Sequence, residues 1–244
     1  MAEFFSWQRV IHNFPILLAK LPVTFEIVAV AFSIGFVLAL IIATTRIKKI
    51  PVLNQILTVF ISFERGTPLL VQMLVVYYAF PLVLKAFFGI DSRRWDKIIF
   101  VDLALILNQA VFLGEIFRGA ITSIPKGQRE AAIACGMTEF SAFVKIVLPQ
   151  AVRVALPATG LTLIGLFQET SLVFMRGVMD IIGRASALGA TTGHSLESYL
   201  IIAVLFLGIN FILTAITTKI SKNLSYGSNA DKNSKNKKAK KEAA

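Results

Sequence analysis

Five long apolar runs alternate with polar segments along this chain. They cover about residues 22–45, 67–84, 98–117, 152–175 and 199–218. An α-helix needs about 20 residues to cross the hydrocarbon core of a bilayer, and each run is close to that length. The pattern therefore predicts an all-α, polytopic membrane protein, with five transmembrane helices in a domain spanning residues 22–222.

The two ends of the chain predict different kinds of membrane contact. Residues 1–21 mix apolar side chains with Arg9, His12 and Lys20, which favours an amphipathic helix in the membrane interface with Trp7 as its anchor. They lack the uninterrupted apolar core and the cleavage site of a secretory signal. Residues 223–244 are rich in lysine and poor in apolar residues, which predicts a disordered basic tail near anionic lipid headgroups.

Composition points to lipid as the main solvent. The chain is 56% hydrophobic and 16% charged, with a mean hydropathy of +0.73. Much of its net charge of +11 lies in the basic tail, so lipid headgroups explain that charge and nucleic acid is not an expected partner. The single cysteine, Cys135, excludes an internal disulfide and a cysteine-based metal cluster, and we expect it to be a small buried side chain. No metal site is predicted.

A polar break precedes the second span. It reads Glu64-Arg65-Gly66-Thr67-Pro68, in which Thr67 is predicted to cap a new helix and Pro68 to be its first residue. Residues 52–63 are then a separate helical segment. Charged groups within a membrane domain face its interior or a wet cavity, which is the position expected for Glu64 and Arg65.

Other polar residues predict which elements are buried in the bundle and which are exposed. Asp102, Asn108, Gln109 and Glu115 all lie on the third span, which is therefore expected inside the bundle. Glu115 and Arg118 are three residues apart on one helix face, and we expect a structural role for this pair, joining the span to the loop that follows. Residues 176–197 are rich in glycine and are expected to form a loop, while Glu26 is expected at the interface.

The polar segment at 118–151 contains a second pattern, EAAIACGMTEFSAFVKIVLP, from Glu130 to Pro149. It predicts two short helical pieces that meet at Gly136, the second of them closed by Pro149. Phe140, Phe143, Val144 and Val147 recur at helical spacing in the second piece, so that face is expected to lie against the membrane domain. The first piece, with its small alanines, is left to enter a groove on another protein.

This segment resembles the cytoplasmic signature loop of the membrane permeases of bacterial ABC importers. Two further runs, Phe63 to Gln72 and Asn108 to Gly119, are similar to the polar amino acid branch of that family, as is Ile124 to Gln128. The resemblance implies that one group of residues couples the chain to an ATPase: Glu130, Ala131, Ala132, Gly136, Ile146, Leu148 and Pro149. Structural roles are also predicted for Gly66 and Pro68 at the break, as for Glu115 and Arg118, for which contact with substrate is the alternative.

The resemblance implies an assembly in the bacterial cytoplasmic (inner) membrane. Its members are two ATPase subunits, a second permease that is either a copy or a paralogue, and an extracytoplasmic amino-acid-binding protein. This chain has no Gly-Lys dipeptide and thus no phosphate-binding loop of the Walker type, so ATP would be bound by the partner and the chain itself would need no cofactor and be no enzyme. The N-terminus would lie outside and the C-terminus inside, since the loop must reach cytoplasmic ATPases.

The substrate path is predicted from two groups of polar residues, the first and the second polar level. The first polar level contains Glu64, Arg65, Thr67, Asn108 and Gln109. The second polar level contains Gln168, Glu169, Thr170 and Ser171. The resembling family usually has Lys, then Asp or Asn, then Thr-Ser-Leu at the second level. Here Gln168 replaces the Lys and Glu169 has the longer acidic side chain. Glu169 either receives the amino group of a substrate or pairs with another residue, and both alternatives stay open.

The substrate itself is predicted from one further stretch. Residues 177–183 and 189–192 look most like cystine-type permeases, while glutamine, glutamate, arginine and histidine stay open as substrates. The alternative class is a secondary transporter or channel subunit that works without an ATPase.

Overall fold

The computed structural model describes residues 5–224, and every regular element in that range is helical. The helices are α1 (Trp7–Leu18), α2 (Leu21–Lys48), α3 (Leu53–Gly66), α4 (Leu69–Phe88), α5 (Lys97–Thr122), α6 (Lys126–Ala134), α7 (Glu139–Ala142), α8 (Leu148–Glu169), α9 (Ile181–Thr192) and α10 (Leu196–Leu224). A π-helical turn, Phe143–Val147, joins α7 to α8, and a 3₁₀ turn, Thr170–Arg176, follows α8.

The predicted number of spans is confirmed within the described range. Five helical stretches are long and apolar enough to cross a membrane, namely α2, α4, α5, the continuous run Glu139–Arg176 and α10. Four of them extend a few residues beyond at least one end of the apolar run that predicted them, whereas Glu139–Arg176 begins 13 residues before its predicted span. The basic tail predicted at 223–244 lies almost entirely outside the described residues.

Helices α2 and α5 form the centre of the fold and run parallel to each other. A Cβ placed on Gly35 would lie 2.8 Å from the Cβ of Gln109, and one placed on Gly114 would lie 2.9 Å from Cγ2 of Ile42. Glycine is needed at both positions because the two backbones approach so closely. The span with four polar residues, α5, is thus inside the bundle, as its sequence predicts.

The break before α4 lies near the middle of the bundle. Asn108, which is close to the centre of α5, donates a hydrogen bond to Gln72 in the first turn of α4, just after the break. The helix before the break ends at Gly66, and Pro68, in extended conformation, is the N-cap of α4. The prediction of Thr67 as the cap is therefore wrong by one residue. Proline fits this position because its fixed φ suits the extended backbone before the first helical residue.

Helix α1 packs across the beginnings of α9 and α10. Oε1 of the buried Glu197 accepts hydrogen bonds from the backbone N–H of Ser6 and from Arg9, and Asn13 donates to Ser198. The predicted helix near the N-terminus is present, with Trp7 exposed. The loop predicted at 176–197 is wrong, because α9 occupies its middle. Its N-terminus is capped by Asp180, which accepts from the N–H of Gly183 at 2.8 Å.

The two ends of the described range, α1 and the last turns of α10, lie at opposite ends of the bundle. Helix α10 starts beside α1, and its last turns pass Gly160 and Pro157 of α8. Over 29 residues it covers about 43 Å. Its end therefore lies on the same side as the α6–α7 segment, which precedes α8.

Candidate coupling loop and translocation path

Helix α6 ends in a hydrogen-bonded cap built around Gly136. The N–H of Met137 donates to the carbonyl of Ala132, and the N–H of Gly136 donates to the carbonyl of Ile133. This pair of bonds is the Schellman motif, in which the residue after the cap adopts a left-handed conformation. Gly136 has φ +87° and no atom lies within 4 Å of where its Cβ would be, so the backbone conformation itself requires glycine here. The predicted bend between two helical pieces is confirmed.

None of the nine residues of α6 is buried. Glu130 and Ala131 are exposed and Ala132 is partly exposed, so the first part of the signature pattern presents itself to solvent. Cys135 is also exposed, and the prediction that it is buried is wrong. It caps a helix that packs only lightly on the rest of the chain, which leaves its thiol accessible.

Polar contacts fix the angle of α6 despite its exposure. Arg129 forms an ion pair with Glu139 across the turn, and the side chain of Gln150 donates to that of Gln128 and to the carbonyl of Ile146. The hydroxyl of Thr138 caps α7 by accepting from the N–H of Ser141 at 3.2 Å. The helix is therefore attached to the first turn of α8 as well as to its own loop.

The second half of the pattern continues directly into α8, so the prediction that Pro149 closes it is wrong. A proline in a helix removes one hydrogen bond and crowds the carbonyl four residues earlier. Pro149 lies in the first turn of α8, directly after the π-helical turn, whose wider path accommodates it. Ile146 and Leu148 are half-buried at this junction, and Pro149 is exposed.

The face predicted to pack on the membrane domain is only partly correct. Val147 is buried and Phe143 is half-buried, whereas Phe140 is 76% exposed and Val144 is also exposed. Ala142 is fully buried instead. The widened π turn shifts the helical register, which changes the residues that face the bundle.

A cluster of charged residues joins α5 to α2 near the coupling loop. Glu115 accepts from Arg118 at 2.7 Å and forms an ion pair with Arg46 of α2 at 3.5 Å. Arg46 also donates to Thr58 of α3. The sequence predicts that Glu115 and Arg118 join the span to the loop. In the described residues the pair instead contacts α2, through Arg46.

The break between α3 and α4 is organised by Gln72. This residue is 2% exposed, and its Nε2 donates to the carbonyls of Glu64 and Thr67, at 2.6 and 3.0 Å. Its Oε1 accepts from Asn108 at 2.9 Å. Glu64 is buried and Thr67 partly buried, as an interior position predicts, but Arg65 is exposed. The sequence analysis missed Gln72, although a glutamine four residues after Pro68 in an apolar helix was a visible signal.

Asn108 and Gln109 face different neighbours although they are adjacent. Asn108 contacts α4, whereas the side chain of Gln109 starts against Gly35 of α2. Oδ1 of Asn108 and Oε1 of Gln109 are both buried without a hydrogen-bond partner in the described structure.

The second polar level lies where α8 ends. The hydroxyl of Thr170 is buried and donates to the carbonyl of Phe167, and Ser171 is half-buried. Gln168 opens into a groove of about 220 Å³ that it shares with Asn210 of α10. Asn210 was missed by the sequence analysis, although it is an isolated amide in the last apolar run.

Glu169 has no described partner that would neutralise it. Its Oε2 is buried and makes no hydrogen bond within residues 5–224, and no ion pair there includes it. Of the two alternatives for this residue, pairing within the chain finds no support in the described part.

The two polar levels border one apolar cluster, which contains Met73 next to Gln72 and Phe167 next to Gln168.

Two carboxyl groups outside the membrane spans have shifted pKa values. The hydrogen bonds from Arg93 lower the pKa of Asp91 below its usual range, and burial raises the pKa of Asp180. Within the described residues no group of three or more His, Cys, Asp or Glu side chains has the arrangement of a metal site.

Comparison with known proteins gives this arrangement a family. Residues 35–226 match the family described as "Binding-protein-dependent transport system inner membrane component". The chain is 39% identical over 209 residues to the L-cystine transport system permease protein TcyL of Bacillus subtilis (strain 168), covering 86% of this chain and 87% of that protein. It is 37% identical over 211 residues to the probable amino-acid permease protein YxeN of the same organism, covering 86% and 90%.

A solved structure agrees with these matches. In "Crystal structure of an amino acid ABC transporter with histidines", one chain superposes with a TM-score of 0.79 at 26% identity, over 90% of this chain and 99% of that one. The resemblance to ABC importer permeases that the signature loop predicts is confirmed. This chain therefore belongs to the inner membrane components of binding-protein-dependent transport systems, as a multi-pass protein of the bacterial inner membrane.

Proposed function

We propose that this chain is the permease subunit of an ABC importer for a polar amino acid, with L-cystine as the first candidate. The observation that carries the proposal is helix α6, which buries none of its residues and yet is held at a fixed angle by polar contacts. An exposed helix whose orientation is set by contacts with its own loop and with α8 is suited to enter a groove on a partner. The name of the cystine permease relative supports the choice of substrate.

In the proposed assembly two ATPases bind two permeases, and a binding protein delivers the amino acid from outside. The second permease is either a copy of this chain or a paralogue. ATP is bound by the ATPases, so this chain needs no cofactor and is not itself an enzyme. The coupling surface consists of Glu130, Ala131, Ala132 and Gly136, with Ile146, Leu148 and Pro149 forming the junction that carries movement into α8.

Closure of the two ATPases around ATP would move α6. Its contacts with Gln150 and with Glu139 would carry that movement into the run Glu139–Arg176, which contains the second polar level near its far end. The bundle would then change between conformations that open the path to opposite sides. Glu115 and Arg118 keep α5 joined to α2 during this change.

The proposed path runs past the two polar levels. Glu64, Arg65, Thr67, Asn108 and Gln109 lie at the first level, near Gly66 and Pro68 at the break. Gln168, Glu169, Thr170 and Ser171 lie at the second level, where we add Asn210 because it shares a groove with Gln168. An amino acid presents an ammonium and a carboxylate. The carboxyl of Glu169, which has no described partner, suits the ammonium.

The proposed orientation places the N-terminus outside and the α6–α7 segment in the cytoplasm. Cys135 tests it without mutagenesis, because it is the only cysteine and is exposed. A membrane-impermeant maleimide should label it in inside-out vesicles and not in right-side-out vesicles. Labelling should fall when the partner ATPase is bound, because Cys135 directly follows α6. Labelling only from the external side would contradict both the orientation and the coupling role.

Reconstitution tests the transport function. The permease with its ATPase and binding protein is placed in liposomes, and uptake of radiolabelled L-cystine is measured with and without ATP. We expect ATP-dependent uptake and hydrolysis that rises when the loaded binding protein is added. Uptake of arginine or glutamine in place of cystine would correct the substrate alone. Uptake driven by an ion gradient without any ATPase would favour a secondary transporter.

A further inference from the structure

The break between α3 and α4 leaves backbone groups without helical partners near the middle of the bundle. The last carbonyls of a helix have no partner within it, and in a low-dielectric interior each unsatisfied group is costly. Here the carbonyl of Phe63 accepts from the hydroxyl of Thr67 at 2.8 Å. The carbonyl of Glu64 accepts from Nε2 of Gln72 at 2.6 Å. One buried side chain therefore closes the break on the side of α5.

The same side chain attaches the break to the central helix. Oε1 of Gln72 accepts from Asn108 at 2.9 Å, so the amide uses its donor on α3 and its acceptor on α5. A neutral amide does both, whereas a carboxylate has no proton to donate. Glu115 follows Asn108 by seven residues, which is about two turns and the same side of α5. That side thus contains the contact with the break and, about 10 Å along the helix, the ion pair with Arg46.

Two buried oxygens of the residues around this contact accept no hydrogen bond in the described range. Oε2 of Glu64 and Oδ1 of Asn108 are buried and have no hydrogen-bond partner in the part of the chain that the structure describes. A displacement of α3 along α5 would break the bonds of Gln72, and these two oxygens are acceptors for its released N–H groups. The bonds of Gln72 thus favour one arrangement of α3 against α5 without excluding a second.

We propose that Gln72 is a positioning residue for transport, which holds the α3–α4 break against α5 in the resting permease and must release it for the path to open. This inference rests on the proposed function. Removal of the amide would lower the barrier to the change of conformation, so the coupled ATPase would hydrolyse ATP without substrate while uptake fell.

The test uses the complete reconstituted complex with Gln72→Leu, Asn108→Leu and the double variant. Gln55→Leu is the matched control, because Gln55 is also a glutamine of this segment but is exposed on α3. For Gln72→Leu we expect substrate-independent hydrolysis to rise about tenfold and L-cystine uptake to fall about tenfold, the change that loss of a buried hydrogen bond gives. Asn108→Leu should act in the same direction. The double variant should differ little from Gln72→Leu, because both changes remove the same hydrogen bond between Gln72 and Asn108.

Two results would overturn the proposal. One is a ratio of uptake to hydrolysis in Gln72→Leu equal to that of Gln55→Leu. The other is a fall of uptake and hydrolysis together, in proportion to the assembled complex recovered by size-exclusion chromatography, which a purely structural role would give. If the parent complex transports no cystine, the proposed substrate fails, and the rate of substrate-independent hydrolysis still decides the role of Gln72.

Discussion

Helices α5 and α6 follow one another in the chain but differ in the burial and pairing of their polar side chains. In α5, Asn108 and Glu115 have partners on α4 and α2, and the helix is largely enclosed by its neighbours. In α6 no residue is buried, and Glu130 extends into solvent. Unpaired polar groups are costly within a membrane domain, and the chain itself supplies partners for Asn108 and Glu115, whereas the polar groups of α6 are left to water or to a partner.

We therefore expect α5 to determine the stability of the permease, and α6 with its turn to determine coupling to the ATPase. Changes in α5 should alter the folded state of the permease by itself. Changes in α6 and its turn should leave that folded state intact and appear only in the assembled transporter. The following experiments test this division from the largest expected effect to the smallest.

Gly35→Val should have the largest effect on folding. The new side chain would meet the Cβ of Gln109, which belongs to the rigid part of a side chain next to the α5 backbone. Overpacking of this kind lowers the free energy of unfolding by about 1–3 kcal/mol. Gly208→Val is the control, because nothing lies within 4 Å of the corresponding position. Thermal unfolding in detergent should show a lower midpoint for Gly35→Val alone, and equal midpoints would contradict the close packing of α2 on α5.

Gly136→Val should abolish transport and leave the isolated permease folded. The left-handed conformation at φ +87° costs a residue with a Cβ about 1–2 kcal/mol, and a branched side chain is the least suited to it. Gly136→Asn is the control, since asparagine tolerates this conformation better. Uptake, ATPase binding and detergent stability are measured for both variants. Normal uptake by Gly136→Val would show that the angle of α6 does not matter for coupling.

Glu115→Gln and Glu139→Gln compare one ion pair in each region. Glu115 is only 13% exposed and lies between Arg46 and Arg118, so removing its charge should cost about 1–3 kcal/mol of stability. Glu139 is 69% exposed in its pair with Arg129, and such pairs contribute about 0–1 kcal/mol. Chemical denaturation of the two purified variants decides the order. A larger loss for Glu139→Gln would reverse the proposed division.

Asp91→Asn should have the smallest effect. The hydrogen bonds from Arg93 keep the pKa of Asp91 low, so any stability that this pair contributes is present above the usual aspartate pKa and is lost only as the pH falls below that range. Both side chains are exposed, and the parent and the variant should therefore have the same thermal midpoint between pH 5 and 8. A lower midpoint for the variant throughout this pH range would indicate that the pair stabilises the loop between α4 and α5.

The sequence predicted the elements whose limits the bilayer sets and missed those that depend on packing. Spans such as α2 and α10 follow from the length of an apolar run. The sequence predicts a loop in place of α9 because its glycines weaken the helical pattern. The helix depends instead on the cap by Asp180 and on contacts with α1 and α10. The bend at Gly136 was predicted because few other residues adopt that conformation.

Among the residues of the candidate site, single positions were harder to predict than motifs. Gln72 was visible as a polar residue in an apolar helix, but its partners on α3 and α5 come from tertiary structure. Cys135 was expected to be buried because cysteine usually is. Its exposure follows because nothing within residues 5–224 covers α6. The roles of the coupling and path residues stay predictions until the experiments above are done.

The stretch from Glu139 to Arg176 is helical throughout its 38 residues, and it begins at the turn after α6 and ends beyond Gln168. At about 1.5 Å per residue it is roughly 57 Å long. If it rotates as a single rod about its midpoint, a tilt of roughly 10° would displace its two tips by about 5 Å in opposite directions. A push on the tip next to α6 would thus arrive at the second polar level, roughly 16–20 Å beyond the midpoint, as an opposite sideways displacement of about 3 Å.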